Sequence, residues 1–443
     1  MAMSSSIEIR DPIHGSIDLS AEEARVLDHP WVQRLRHIRQ LGFVSLVYPG
    51  AVHDRLQHSL GVCHLAGRAF DHLLADKNGA LSGFDPEVLT YARRVLRLAG
   101  LLHDAGHAAF SHTAERFLGR VEPFRLPADW YRAGMMPAGR PAQHEDCTLL
   151  VIHGLAQSGV IAEDEARDIC AVLHAGIRRS PRLRRWGSLV SVLRALVSGE
   201  LDVDREDYLL RDSHFCGVSY GIFDLGRLLD ALTTIPGERG PELALDGDGI
   251  HAFEGLLLAR YHMFLQVYFH KTPPAFEFYL EQAVAAGEIR FDFPAGLQDV
   301  LDCRDDVVHG ALHTAAAEGG EWSRRIIHRE PARLVMRERV GEADGDNSLS
   351  LRVHAALQNA GCRVFTRHSR QRFTNLHGAG GVEQGEILHG TRRVLGRRVI
   401  HPLAHQSHLL TLFNRPIDIQ YTYVLRADAE RAAAVLKRLD LDR

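Results

Sequence analysis

The run LLHDAGHAAFSH, residues 101–112, sets His103 and Asp104 side by side at the end of an apolar stretch. If that stretch is helical, neighbours lie about 100° apart around the axis, close enough for two side chains to converge on one ion. A neutral imidazole with a carboxylate suits a divalent metal of intermediate hardness. Two donors are too few, and more of the same kinds stand upstream, at His58 in HDRLQHSLG, and downstream, at Asp204 in LDVDREDYLLRDS. Two imidazoles and two carboxylates leave room on a six-coordinate ion for water or a phosphate oxygen, and such a centre can hydrolyse. Each residue alone would be an ordinary surface or capping side chain. An HD pair among apolar neighbours argues otherwise, because unpaired buried charge is costly.

Helices must carry these residues. Apolar positions recur with helical spacing over 21–41, 58–74, 89–107, 187–199 and 253–270, and His58 is expected to open its helix. Pro236 to Pro241 and Asp246 to Gly249 read as turns. Beyond about residue 320 the pattern changes to short β-branched or aromatic runs: IIHREPARLVM, CRVFTRH, RRVIHPL and IDIQYTYVL. The Gly/Asp-rich stretches 341–348 and 377–381 separate them, and AERAAAVLKRLD reads as a terminal helix. The expected fold is mainly α, a helical core over 1–320 with a smaller α+β lobe over 321–443.

Composition fits a soluble globular protein of two or three lobes. The 52 basic and 56 acidic side chains give a net charge of −4, and 45% of the residues are hydrophobic. This excludes disorder and denies the whole chain a strong field for nucleic acid. No apolar run reaches the ~18–20 residues of a membrane-spanning helix, and no leader pattern opens the sequence. Six cysteines without CxxC spacing argue against disulfides and structural zinc, and point to a reducing cytoplasm. RRSPRLRRW at 178–186 and Arg392, Arg393, Arg397 and Arg398 are basic but carry no interleaved aromatics, so a polynucleotide partner is not expected. The 27 histidines are the unusual count, and they lead back to the HD run.

Taken in order, DPIHG (11–15), WVQRLRHIRQLG (31–42), YPGAVHDRLQHSLGV (48–62), LLHDAGHAAFSH, His144-Glu145, DVDREDYLLRDS (202–213) and YFHK (268–271) resemble the HD-domain phosphohydrolases. Within them the chain is most similar to the deoxynucleoside triphosphate triphosphohydrolases, over roughly residues 7–310. The resemblance implies an HD-domain helical core in which His58, His103, Asp104 and Asp204 hold one divalent ion (Fe, Mn, Mg, Ni or Zn). It implies that Arg55 contacts a phosphate and that His107, His112 and His144 surround the α-phosphate, with Glu115 orienting His112. Gln40 and Asp212 match contacts to the sugar 3′-hydroxyl, Tyr208 the residue against the deoxyribose, and Arg260 and Tyr268 the remaining lining. Arg205 stands where a Lys is usual. The implied reaction is water attack on the α-phosphorus of a dNTP, His112 protonating the leaving 5′-oxygen, to give deoxynucleoside and inorganic triphosphate.

Some members of this group are homo-oligomers, dimers or tetramers, switched on by GTP or a dNTP at subunit interfaces. Asp28, Gln33 and Arg36 resemble their guanine-reading residues, although Asp28 could equally cap a helix starting near Pro30. The basic residue usual before DPIHG is missing, Arg10 alone being there. Two other readings stand beside this one. The metal set would equally serve hydrolysis of another nucleotide phosphate ester: a monophosphate, a cyclic nucleotide or guanosine tetraphosphate. A nucleic-acid-binding protein with a vestigial metal site is the third.

Overall fold

A computed structural model describes residues 7–290, 296–340, 348–374, 376, 388–394, 397–413 and 416–439. The chain opens with an antiparallel hairpin, β1 (Ile7–Asp11) and β2 (Gly15–Leu19), followed by α1 (Ala21–Leu27) and α2 (Pro30–Gln33). The stretch expected as one helix over 21–41 is therefore broken. Pro30 has no N–H to donate and its ring bars the preceding turn, so it starts a new helix instead. His29 caps α2, and Asp28 is the C-terminal cap of α1.

The central pair is α3 (Arg55–Ala75) and α4 (Pro86–Leu102). Asp54 caps α3 by accepting the Gln57 N–H (2.9 Å), and Asp85 caps α4 ahead of Pro86 by accepting the Glu87 N–H (2.9 Å). Around them pack α5 (His112–Glu115), α6 (His144–Gln157), α7 (Glu163–Leu173), α8 (Pro181–Arg184), α9 (Val190–Ser198), α10 (Val203–Cys216) and α11 (Leu225–Asp230). Leu65, Phe70, Val95, Leu102, Ile152, Ile169 and Leu196 are wholly buried in the shared core. A buried ion pair ties α1 to α4, Arg97 donating to both oxygens of Glu23 (2.6 and 2.9 Å). Glu23→Ala is expected to destabilise the chain by about 3–5 kcal/mol, because Arg97 is left buried without its anion. Arg97 and the Ser20 N–H outweigh burial and hold the Glu23 carboxyl below its usual range. Its contribution is thus present above about pH 4.5 and lost as pH falls below that. Urea unfolding at neutral and acid pH checks both statements.

The expected turn at 236–241 lies inside a hairpin of β3 (Leu232–Gly237) and β4 (Gly240–Asp246). After α12 (Ile250–Met263), a π-helical turn over Phe264–Tyr268 leads to α13 (Pro273–Ala285), α14 (Asp305–Ala317) and α15 (Glu321–Ile327). The C-terminal part adds β5 (Arg333–Arg339), α16 (Ser348–Asn359), β6 (Val364–Gln371), β7 (His389–Val394), β8 (Arg397–Pro402), α17 (His408–Phe413), β9 (Ile417–Val424) and α18 (Ala429–Leu436). The fold is mainly α, and the described residues form two small sheets beyond the N-terminal hairpin, in the orders β3-β4-β7-β8 and β5-β9-β6. The parallel pairing of β4 with β7 joins residues from both sides of position 320. Phe373, Leu376, Leu403 and Phe413 likewise enter the first core, while Phe43 and Phe110 pack with α13 and β9 in a second. A cut at 320/321 would divide both.

Within the basic run at 178–186, Ser180 caps α8, and Arg182 lies 3.8 Å above the Tyr91 ring. The side chains of Arg392, Arg393 and Arg397, and the stretches 341–347 and 377–381, lie outside the described residues. All six cysteines are free, and burial pushes the Cys63 and Cys147 thiols up to about 12. Among the described residues no helix is long and apolar enough to cross a membrane.

Candidate metal centre and active-site cavity

The Asp54 cap fixes where α3 begins, which puts Arg55 and His58 one turn apart on its first turn. The helix α4 ends at Leu102, sooner than its apolar spacing suggests. His103 caps its end and Asp104 to Gly106 form a turn, the Asp104 carbonyl accepting the His107 N–H at 3.1 Å. His107 is therefore not on a continued helix face beyond His103. Gly106 is required here: a Cβ on it would come within 2.1 Å of the His144 carbonyl, so only glycine lets the start of α6 close on the turn.

His58 Nε2 lies 2.9 Å from Asp204 Oδ1 and 3.7 Å from Asp104 Oδ2. His103 Nε2 lies 3.3 Å from Asp104 Oδ1 and 3.7 Å from Asp204 Oδ1. The other ring nitrogens are engaged elsewhere, His58 Nδ1 with Asp207 (2.7 Å) and His103 Nδ1 with the Gly100 carbonyl (2.8 Å). A carbonyl or ionised carboxylate only accepts, so Nδ1 carries a proton in both rings, and both Nε2 atoms face the carboxylates. His103 Nε2 is buried without a hydrogen-bond partner. Two imidazole nitrogens and two carboxylates converging in this way fit a divalent ion of intermediate hardness. The electrostatics agree that a cation belongs here. Burial opposes a charged His58, yet Asp204 and Asp207 push it up to about 10. Burial would likewise raise Asp104, but Arg55, then His103 and His107, hold it well below the usual carboxylate range.

A second cluster adjoins the first. Glu115 Oε1 accepts from His112 Nδ1 (2.9 Å) and His144 Nδ1 (2.5 Å) and lies 3.8 Å from His107 Nδ1. The His107 and His144 rings stack with centroids 3.8 Å apart. Burial, then Arg55 and His144, hold His107 well below its ordinary value, so it stays neutral. Burial would raise Glu115, but the bonds from His112 and His144 bring it down to about 2. Ahead of this cluster Phe110 and Ser111 have φ of 55° and 56°, a conformation costly for non-glycine residues. Asp305 holds the bend by accepting the Phe110 N–H (2.7 Å), and Ser111 Oγ donates to the Arg39 carbonyl (2.7 Å). Arg55 completes the link, donating through Nε to Ser111 Oγ (3.0 Å) and through Nη1 to Asp104.

Both clusters open on one cavity of about 610 Å³, the first through His58, Asp104 and Asp204 and the second through His107, His112 and His144, with His103 and Glu115 behind them; Gln40, Tyr208, Asp212 and Tyr268 also line it. That lies within the roughly 300–1,000 Å³ of small-molecule sites. Asp212 accepts from the Tyr268 hydroxyl (2.6 Å) and pairs with His53 (2.8 Å), and the π-helical turn delivers Phe264 and Tyr268 to the wall. Arg205 and Arg260 are placed differently from expectation, since neither lines the cavity. Arg205 pairs with Glu200 and Asp202 (3.3 Å each), and Arg260 donates to the Phe373 carbonyl (2.5 Å). Arg116, Glu277 and Gln371 line the cavity without having been anticipated. Gln371 comes from β6, far along the chain, and no local pattern announces it.

A larger cavity, about 790 Å³, lies against α1, α3 and α4. Its arginines are largely committed to acids, Arg93 to Asp71, Arg94 to Glu22 and Glu165, and Arg97 to Glu23, so the chemistry belongs to the smaller one. Asp28, Gln33 and Arg36 are brought together at a separate cavity of about 490 Å³ with Arg34 and Arg304. There Gln33 donates to the Leu27 carbonyl (2.9 Å) and Arg36 to Gln33 (2.7 Å).

Residues 55–130 match the family described as HD domain, and residues 223–336 that described as HD associated region. The deoxynucleoside triphosphate triphosphohydrolase SAMHD1 of Homo sapiens is 35% identical over 243 residues, covering 50% of this chain and 35% of its own. An uncharacterized protein of Methanocaldococcus jannaschii is 30% identical over 276 residues, covering 62% and 49%. The chain thus spans about half the length of these curated relatives or less. A crystal structure of a hypothetical protein from Aquifex aeolicus superposes with a TM-score of 0.72 at 26% identity, covering 98% of this chain and 100% of that one. With both HD regions matched and His58, His103, Asp104 and Asp204 converging, the chain is an HD-domain protein similar to the deoxynucleoside triphosphate triphosphohydrolases.

Proposed function

We propose that the chain is a metal-dependent phosphohydrolase that cleaves deoxynucleoside triphosphates at the α-phosphorus, giving deoxynucleoside and inorganic triphosphate. The observation that carries this reading is the opening of the ion-type donors and the Glu115 histidine cluster onto one cavity that also presents Gln40, Tyr208, Asp212 and Tyr268. His58, His103, Asp104 and Asp204 would hold the ion, and Fe, Mn, Mg, Ni or Zn suits the donor set. When bound, such an ion acidifies a water molecule and withdraws charge from phosphorus.

The remaining work falls to the side chains. Arg55 uses two of its N–H donors on Asp104 and Ser111, which leaves three for phosphate oxygens in a fixed planar fork. His107, kept neutral, offers a hydrogen bond without adding charge beside Arg55. His112 is the exposed member of its cluster, with Nδ1 held by Glu115, so its Nε2 is free to deliver a proton to the 5′-oxygen. Each Asp212 oxygen keeps a lone pair for the 3′-hydroxyl, and Tyr208 bounds the sugar.

Incubation with each dNTP and NTP under several divalent ions, with products resolved by ion exchange, tests the reading. Inorganic triphosphate is the expected product. Pyrophosphate or orthophosphate alone would move the chain to another class of nucleotide phosphohydrolase.

The cavity at Asp28, Gln33 and Arg36 supports a second site for GTP or a dNTP, placed in a homo-oligomer, dimer or tetramer. Between them these side chains offer donors and an acceptor suited to guanine edges. Turnover of one dNTP is expected to rise when GTP or dGTP is added, and an unchanged rate discards the site.

A further inference from the structure

The turn joining β1 to β2 contributes none of the ion-type donors, yet its side chains end against the metal centre. Asp11 Oδ1 accepts the backbone N–H groups of Ile13 and His14 (2.9 Å each), and Gly15 at φ 76° completes the bend. Asp11 Oδ2 accepts from Arg211 Nη1 (2.8 Å). His14 Nε2 lies 2.6 Å from Asp207 Oδ1, and Asp207 Oδ2 accepts from His58 Nδ1 (2.7 Å). Arg211 grips both Asp207 oxygens (2.8 and 2.9 Å). The Asp207 and Arg211 side chains are wholly buried and that of His14 is 2% exposed. Gly61 makes room for the arrangement, since a Cβ there would meet Asp207 Oδ1 at 1.8 Å.

We propose that Asp207 and His14 are positioning residues for the metal centre: the hairpin turn fixes Asp207, and Asp207 fixes the ring orientation and tautomer of His58. The inference rests on the reading of His58 as a metal ligand given under Proposed function. The physical argument is one of donors and acceptors. Asp207, matched by Arg211, is an anion that accepts four hydrogen bonds and gives none. His58 must therefore carry its proton on Nδ1 and turn Nε2 toward Asp104 and Asp204, and a carboxylate in this place also raises ligand basicity. His103 needs no such help, because its own helix supplies the Gly100 carbonyl. The centre thus has one ligand set locally and one set by the N-terminal hairpin. Without His14, Asp207 Oδ1 keeps only Arg211, and the carboxylate is held from one side alone, so its hold on His58 is less well fixed.

The test is Co(II) titration of the full chain, followed by its visible absorption, with triphosphate release measured separately and thermal unfolding as a check on folding. Asp207→Asn and His14→Leu are expected to weaken Co(II) binding by roughly 10- to 100-fold and alter the spectrum. His14→Gln, which keeps an N–H donor, is expected to recover most of the affinity. If Asp207→Asn does not fold, the two His14 variants decide. A folded His14→Leu chain with wild-type affinity and spectrum overturns the inference, whatever its activity. Failure of His14→Gln to recover affinity also overturns the assigned hydrogen bond. If the unaltered chain binds Co(II) and the variants respond as expected but no nucleotide is cleaved, the proposed function falls and the positioning role stands. If the unaltered chain binds no Co(II), the ligand set and this inference fall together.

Discussion

Asp104→Asn is expected to lower nucleotide hydrolysis by about 10²- to 10³-fold, the scale on which losing one preorganised electrostatic group at a reacting centre acts. The chain should remain folded and hold less metal. Asp104 stands between the two parts of the site: its oxygens face His58 and His103, and one of them accepts from Arg55. Arg55, His103 and His107 together keep it ionised against the cost of burial, so its charge is what the surroundings are arranged around. Asparagine preserves the shape and an acceptor for Arg55 but removes that charge. Alanine is the poorer test, because Arg55 would be left buried without a partner, at about 3–5 kcal/mol. Metal per chain by elemental analysis, read beside rate and melting temperature, separates loss of the ion from loss of the fold. Unchanged turnover would remove Asp104 from the chemistry.

The four ion-type donors were legible because their residue types are costly among apolar neighbours, but the start of α3 was not: Asp54 caps it at Arg55, three residues before the expected start at His58. Nor was the end of α4. Ala105, Ala108 and Ala109 continue the apolar pattern, since the turn that follows the helix is as buried as the helix itself. The strand β3 stayed hidden for a related reason. Leu232, Thr233, Thr234 and Ile235 are all buried, so no alternation betrays a strand, and β7, the strand that extends the sheet past its hairpin partner β4, starts only at His389. Within DVDREDYLLRDS the sequence offers several acids. Only packing against Gly61 and the hairpin turn shows that Asp207 bonds His58 from behind while Asp204 faces the ion site. Arg205 and Arg260 look like phosphate ligands by type, but their partners, Glu200, Asp202 and the Phe373 carbonyl, are fixed by contacts that spacing does not encode. The strained backbone at Phe110 and Ser111 has no signature in residue type either, because neither residue favours positive φ.

Glu115→Gln is expected to lower kcat by about 10²- to 10⁴-fold, the range associated with general acid–base groups, while the ion at His58, His103, Asp104 and Asp204 is retained. This separates the second cluster from the first. One Glu115 oxygen accepts from both His112 and His144, and a neutral amide can present neither the charge nor two strong acceptor positions to them. His112 would lose the partner that orients it, and proton delivery to the leaving oxygen should fail before substrate binding does, so KM should change less than kcat. Stability carries an independent sign. Glu115 is brought down to about 2 from its usual 4.5 by His112 and His144, against the effect of burial, so it is ionised across the whole working range. Its contribution to folding is therefore present above about pH 4.5 and lost as pH falls toward 2. The stability difference between wild type and Glu115→Gln, read from urea midpoints, should be widest near neutrality and shrink below pH 4.5. A variant with wild-type kcat would exclude Glu115 from proton transfer, and a stability difference that does not vary with pH would mean that its charge is not what holds the histidines.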